Sequence, residues 1–123
     1  MEFENISFQV IKCAIEVHKN LGPGLLESTY KQCLIYELLE NNIIFESEKD
    51  LPILYKGNRI EAAYRIDLLI EGSLIVELKS ISEIKPIHEA QIMTYMKLSQ
   101  INKGLLINFN VKKLKFGLRR YVL

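Results

Sequence analysis

The stretch Tyr64-Arg65-Ile66-Asp67-Leu68-Leu69-Ile70, followed after Glu71-Gly72-Ser73 by Leu74-Ile75-Val76-Glu77-Leu78-Lys79, governs how the rest of this chain is read. It sets two carboxylates and an ammonium inside otherwise apolar strands. Taking an ionised carboxylate out of water costs on the order of several kcal/mol unless a counter-charge, hydrogen bonds or a metal compensates it. A divalent cation is the natural compensator here. Side chains alternate across a strand, so Ile75, Glu77 and Lys79 share one face, and Arg65, Asp67 and Leu69 likewise share a face. With Glu71-Gly72-Ser73 as a three-residue hairpin loop, Ile70 pairs with Leu74 and Asp67 lies opposite Glu77 on the same face. A two-residue loop would shift the register by one and separate the acids, so the expectation needs an odd loop or a β-bulge.

On either side of this pair the chain alternates between helical and extended patterns. Ile6, Val10, Ile11, Ala14, Val17 and Leu21 recur at helical spacing, with Asn5 or Ser7 as N-cap. Gly22-Pro23-Gly24 ends that helix, Pro23 opening the next, which runs from about Leu25 to Glu40 and stops at Asn41-Asn42. Ile43 to Glu48 and Leu51 to Tyr55 read as extended, and Lys56-Gly57-Asn58 as a turn into one strand from Arg59 to Ile70. Leu74 to Lys79 completes a meander. Pro86 opens a third helix over Ile87 to Leu98, with Ile92 and Met96 on its apolar face. Lys103 to Phe109 is apolar enough for a strand covered on both faces, and Leu114 to Val122 alternates Lys115, Arg119 and Arg120 with apolar residues as a more exposed last strand. The predicted order is ααβββαββ, an α/β fold with a mixed sheet flanked by helices.

The 123 residues, 49% hydrophobic and 25% charged, suit one globular domain spanning 1–123. A net charge of +1 gives no global basic signature, so any nucleic-acid contact must come from a local patch or a metal-bridged phosphate. Cys13 and Cys33 have no metal-site spacing and read as buried, reduced thiols of a cytoplasmic protein. Met1-Glu2-Phe3-Glu4-Asn5 lacks the basic-then-apolar order of a signal peptide, and no apolar run approaches the ~18 residues of a membrane span.

Gly24-Leu25-Leu26-Glu27-Ser28-Thr29-Tyr30 spells the motif of the GxxExxY proteins, and the chain resembles that family over nearly its whole length. The similarity extends through Ala14-Ile15-Glu16-Val17-His18-Lys19, Leu21-Gly22-Pro23-Gly24, Arg65-Ile66-Asp67-Leu68-Leu69, Ile75-Val76-Glu77-Leu78-Lys79, His88-Glu89-Ala90-Gln91 and Gly104-Leu105-Leu106-Ile107-Asn108-Phe109. The resemblance implies a restriction-endonuclease-like core of the PD-(D/E)XK nuclease-like superfamily, many members of which cleave DNA with magnesium. By that resemblance Asp67 is the first acid, Glu77 the central acid and Lys79 the lysine of the Glu-x-Lys element, while Ile66 replaces the proline, which carries none of the chemistry. Glu27 resembles an extra acidic ligand on the preceding helix, and Gln91 and Tyr95 resemble a Gln-x-x-x-Tyr element.

Magnesium, or manganese in its place, takes oxygen ligands and keeps several waters, so Asp67, Glu77, the Leu78 carbonyl and Glu27, directly or through water, make a sufficient set with a phosphate oxygen. Lys79 would orient or help deprotonate water and offset charge on the phosphorane. No nucleophilic serine, cysteine or histidine is required. His88, Gln91 and Tyr95 share a helix face and could read substrate geometry. Tyr30 is either core packing or a hydrogen-bond partner of the site, and His18 is structural or exposed. Lys85, Lys97, Lys112, Lys113, Lys115, Arg119 and Arg120 are candidate phosphate contacts. The expected activity is magnesium-dependent hydrolysis of DNA. The rivals are an idle nuclease-like module that binds nucleic acid or protein, and a homodimeric junction-resolving nuclease.

Overall fold

A computed structural model describes residues 3–61 and 64–123. The chain forms α1 (Phe3–Leu21), α2 (Glu27–Glu40), β1 (Phe45–Asp50), β2 (Ile53–Tyr55), β3 (Asn58–Ile60), β4 (Arg65–Ile70), β5 (Leu74–Lys79), α3 (Pro86–Ser99), β6 (Lys103–Asn108), a 3-10 turn (Leu114–Gly117) and β7 (Leu118–Val122). The main sheet has the order β1-β4-β5-β6-β7. Its β5–β6 pair is parallel and joined through α3, and the other pairs are antiparallel. The expected mixed sheet flanked by helices is therefore the observed architecture, although five described strands, not the three of the expected order, precede α3.

One face of the sheet is covered by α1 and α2. Ile6, Val10, Ala14 and Val17 of α1 and Tyr30, Leu34 and Leu38 of α2 pack on Leu68, Ile70, Leu74, Val76, Leu78, Leu105 and Ile107. The opposite face takes α3, whose Ile92, Tyr95 and Met96 meet Leu69, Ile75 and Leu106. A Cβ on Gly104 would stand 2.7 Å from Met96 Sδ, so the missing side chain lets α3 lie close against β6. That contact fixes the height of Gln91 and Tyr95 above the strands.

The hairpin between β4 and β5 has the expected register, Ile70 opposite Leu74 across Glu71-Gly72-Ser73. Glu71 and Gly72 both adopt positive φ, and Ser73 N–H closes the turn on Ile70 O at 2.9 Å. Several other expectations shift. The strand expected from Arg59 to Ile70 is two strands, β3 and β4; β3 folds back on β2 in a separate two-stranded sheet closed by Lys56 and Gly57, both at positive φ. A run of β-favouring residues cannot tell one long strand from two short ones that pair with different partners. The acidic start at Met1-Glu2 and the Ala62-Ala63 part of that expected strand lie outside the described residues.

The last expected strand opens as a 3-10 turn over Leu114–Gly117, leaving β7 only Leu118–Val122. Helix α1 begins upstream of both proposed caps, so Asn5 and Ser7 lie inside it. Pro23 sits in the turn, because α2 starts at Glu27 with extended Leu26 as its N-cap. Cys13 is buried as expected, whereas Cys33 is only half-buried.

Candidate active site

The charged residues of β4 and β5 meet where the two strands part. Their ladder ends at Leu68–Val76, one pair short of Asp67 and Glu77. Asp67 fills the gap with its side chain, and Oδ2 accepts the Leu78 backbone N–H at 2.8 Å. Three facts mark a break in the pleat at Asp67. Ile66 packs in the same cluster as Leu69 although an offset of three positions would put them on opposite faces of a regular strand. The β1–β4 register skips the Glu48–Asp67 position. Glu48 itself has φ +53°. The two acids are thus neighbours as expected, but Asp67 reaches between strands instead of standing opposite Glu77 as a regular cross-strand pair.

Glu77 is 5% exposed, and its Oε1 is buried without a hydrogen-bond partner. Burial pushes its carboxyl up to about 10, and the adjacent Asp67 carboxylate adds to the shift; the Asp67 backbone N–H and the Lys79 ammonium oppose it without cancelling it.

Glu27 enters from the first turn of α2 and shares a cavity of about 390 Å³ with Asp67, Lys31 and Glu48. Its carboxyl is also raised, by desolvation and then by Asp67, with Lys79 and Lys31 pulling the other way. Tyr30, one turn further along, is fully buried and stacked on Phe109 at 4.5 Å. Its hydroxyl donates to Gly22 O at 2.6 Å and accepts Leu25 N–H at 3.1 Å, while Ser80 Oγ at the end of β5 donates to Leu25 O at 2.6 Å. Of the two roles expected, Tyr30 takes core packing; its hydroxyl bonds the turn before Glu27 and none of the candidate site side chains.

From α3, Gln91 Oε1 accepts Lys79 Nζ at 3.1 Å, and Gln91 Nε2 donates to Tyr95 Oη at 3.3 Å. Burial, then the Glu77 carboxylate, raises the Tyr95 phenol, which keeps it a neutral donor. His88 takes a different role: its Nδ1 accepts Lys85 N–H at 2.8 Å and its own N–H donates to Lys85 O at 2.9 Å, a cap on the start of α3. His18 Nε2 bonds Val111 O at 2.8 Å, a structural tie between α1 and the loop after β6.

The model of the PD-(D/E)XK nuclease superfamily matches residues 4–121. The chain belongs to that superfamily. No curated protein and no solved structure matches it significantly. PD-(D/E)XK nucleases generally use divalent metals, and the residues present fit such an ion: an unpartnered buried carboxylate oxygen on Glu77, Asp67 beside it, and Glu27 in the cavity that Asp67 also lines, with the Glu77 and Glu27 carboxyls raised by burial and then by the Asp67 charge. Among the described residues, though, no three or more His, Cys, Asp or Glu side chains are gathered into a ready-made cage. Asp67 stands beside Glu77 and shares the cavity with Glu27, and is the acid common to both.

Two residues of this cleft escaped the sequence reading. Lys31 and Glu48 form an ion pair at its mouth, joining α2 to β1. Lys31 follows Glu27 by one helical turn, which was a usable signal; Glu48 gave none, since every residue of Glu46-Ser47-Glu48-Lys49-Asp50 is exposed. The proposed phosphate contacts are all exposed but fall at both ends of α3 (Lys85, Lys97), between β6 and the 3-10 turn (Lys112, Lys113), on that turn (Lys115) and on β7 (Arg119, Arg120). Arg119 Nη1 is already bonded to Leu118 O at 2.9 Å.

Proposed function

We propose that this chain is a single nuclease-like domain of the GxxExxY type that hydrolyses DNA phosphodiester bonds with magnesium, or manganese in its place, in the cytoplasm. The observation that carries the reading is Glu77, a carboxylate buried beside a second carboxylate with one oxygen unsatisfied. Such a group costs on the order of several kcal/mol when ionised and unpaired, and a protein keeps it where a cation is to be bound. Asp67, Glu77 and Glu27 would hold the ion. The Leu78 carbonyl joins them, because the Leu78 N–H points to Asp67 and an extended residue directs its N–H and C=O to the same side. When bound, the ion would supply polarisation of the phosphate and a more acidic water.

The chain's own groups do the rest. Lys79 offers an ammonium to the attacking water and to the charge that develops on phosphorus-bound oxygen. Gln91 holds that ammonium by its carbonyl and is itself held by Tyr95, so the three side chains orient one another. Tyr95, kept neutral, remains a hydrogen-bond donor toward phosphate.

The test compares wild type, Asp67→Ala and Lys79→Ala on linear, nicked, branched and single-stranded DNA with magnesium or manganese. Cleavage by wild type alone, falling by about a hundredfold or more in both variants, is expected for loss of a charge-stabilising group. Binding by all three proteins with cleavage by none would overturn the enzyme in favour of an idle module. A strong preference for branched DNA together with a dimeric mass would identify the junction-resolving form.

A further inference from the structure

A second cleft adjoins the Lys79–Gln91–Tyr95 chain. It is lined by Ile53 of β2, by Tyr64, and by Ile87, Gln91, Tyr95 and Leu98 of α3, and has a volume of about 280 Å³. Tyr64 meets Tyr95 edge to face at 6.3 Å, yet stays 47% exposed, so much of its surface is open to a ligand. The cleft is thus aromatic and aliphatic along its walls and polar where it touches the catalytic chain.

We propose that this cleft binds one unpaired nucleobase of the strand whose phosphate lies at Lys79, which makes single-stranded or locally opened DNA the substrate class. The inference rests on the nuclease reading and deepens it. Its occupant follows from three features. First, the cleft and the proposed phosphate site share Gln91 and Tyr95, so a ligand that fills both must carry a phosphate next to a flat apolar body. A nucleotide has that shape; an aliphatic chain or a helix face does not. Second, Tyr64 offers an aromatic platform, and stacking on such a ring tolerates any base because every base has a π-face. Third, Gln91 has hydrogen-bonding capacity to spare: its carbonyl accepts from Lys79 and one N–H serves Tyr95, which leaves the second N–H for a base edge. A base in a continuous duplex is stacked and paired, so it can reach the cleft only after being unstacked. Occupancy would also report on Lys79, since the same amide touches both.

Binding is measured in EDTA, where no cleavage occurs, by fluorescence anisotropy with a short labelled single-stranded oligonucleotide, its blunt duplex, and a set of single strands each lacking one base. Wild type should bind the single strand more tightly than the duplex. Removing one particular base should weaken binding by about tenfold, equivalent to about 1.4 kcal/mol and within the range for a base stacked on an aromatic side chain. Tyr64→Ala should lose that positional sensitivity and Tyr64→Phe should keep it. Ile87→Glu, at an exposed position where folding is not at risk, should weaken the single strand more than the duplex. Equal or tighter binding of duplex by wild type, or unchanged single-strand affinity in both Tyr64→Ala and Ile87→Glu, would overturn the cleft assignment even if the protein cleaves DNA. Base-dependent binding in a protein that cleaves nothing would uphold the cleft and refute the nuclease.

Discussion

At the scale of single residues, Glu77 concentrates the electrostatic strain of the molecule. Its carboxyl holds its proton to about 10 in the folded chain and releases it near 4.5 when exposed. The native state therefore binds more protons than the unfolded state between those values, and stability falls as pH rises through that window. Raised Glu27 acts in the same direction. Melting curves in EDTA should show a falling transition temperature from about pH 5 upward, and Glu77→Gln should flatten the slope and melt higher than wild type at neutral pH. A wild-type profile that is level across this range would show that Glu77 is not held against its charge. Glu77 was legible because charge inside an apolar strand is conspicuous in one dimension, whereas Glu27, an ordinary first-turn helix acid by position, stood out only through the Gly24–Tyr30 motif. Glu48 was not legible, because a charge in a fully exposed strand looks solvated until the kink at its positive φ turns it toward Asp67.

Elements decide which of those residues meet. The register of β4 against β5 followed from the loop Glu71-Gly72-Ser73, and helices α2 and α3 followed from their periodicity and punctuation, so Glu27, Gln91 and Tyr95 arrived on the expected elements. What periodicity could not convey is where a ladder stops. The parting of β4 and β5 after Leu68–Val76 puts Asp67 between the strands, and the division of Arg59–Ile70 into β3 and β4 builds the wall of the second cleft; both depend on tertiary partners. The turn before α2 offers a direct test. Tyr30→Phe keeps the stack on Phe109 but deletes the hydroxyl that joins Gly22 O to Leu25 N–H. Its chemical denaturation should show a loss of about 1 kcal/mol. Its affinity for magnesium should also fall, because Glu27 starts the helix that this clasp presents. Full metal affinity in a folded Tyr30→Phe protein would mean that Glu27 needs no such positioning.

Across the whole molecule, the mixed sheet brings one face to α1 and α2 and the other to α3, and the site opens where α2 and α3 both reach the separating ends of β4 and β5. The acids come from α2, β4 and β5, so a cation there would bridge segments that the unfolded chain holds apart. No described helix is long and apolar enough to cross a membrane, and a net charge of +1 gives the molecule no strong overall field. A ligand bound only by the native state adds RT ln(1 + [L]/Kd), about 2.7 kcal/mol at a hundredfold excess over Kd. The decisive measurement is the thermal transition of chelator-treated protein titrated with magnesium or manganese at neutral pH. Wild type should rise by several degrees with saturating metal while Asp67→Ala and Glu77→Gln do not move; a wild-type transition indifferent to both ions, or an equal rise in all three proteins, would contradict a metal centre built on these carboxylates.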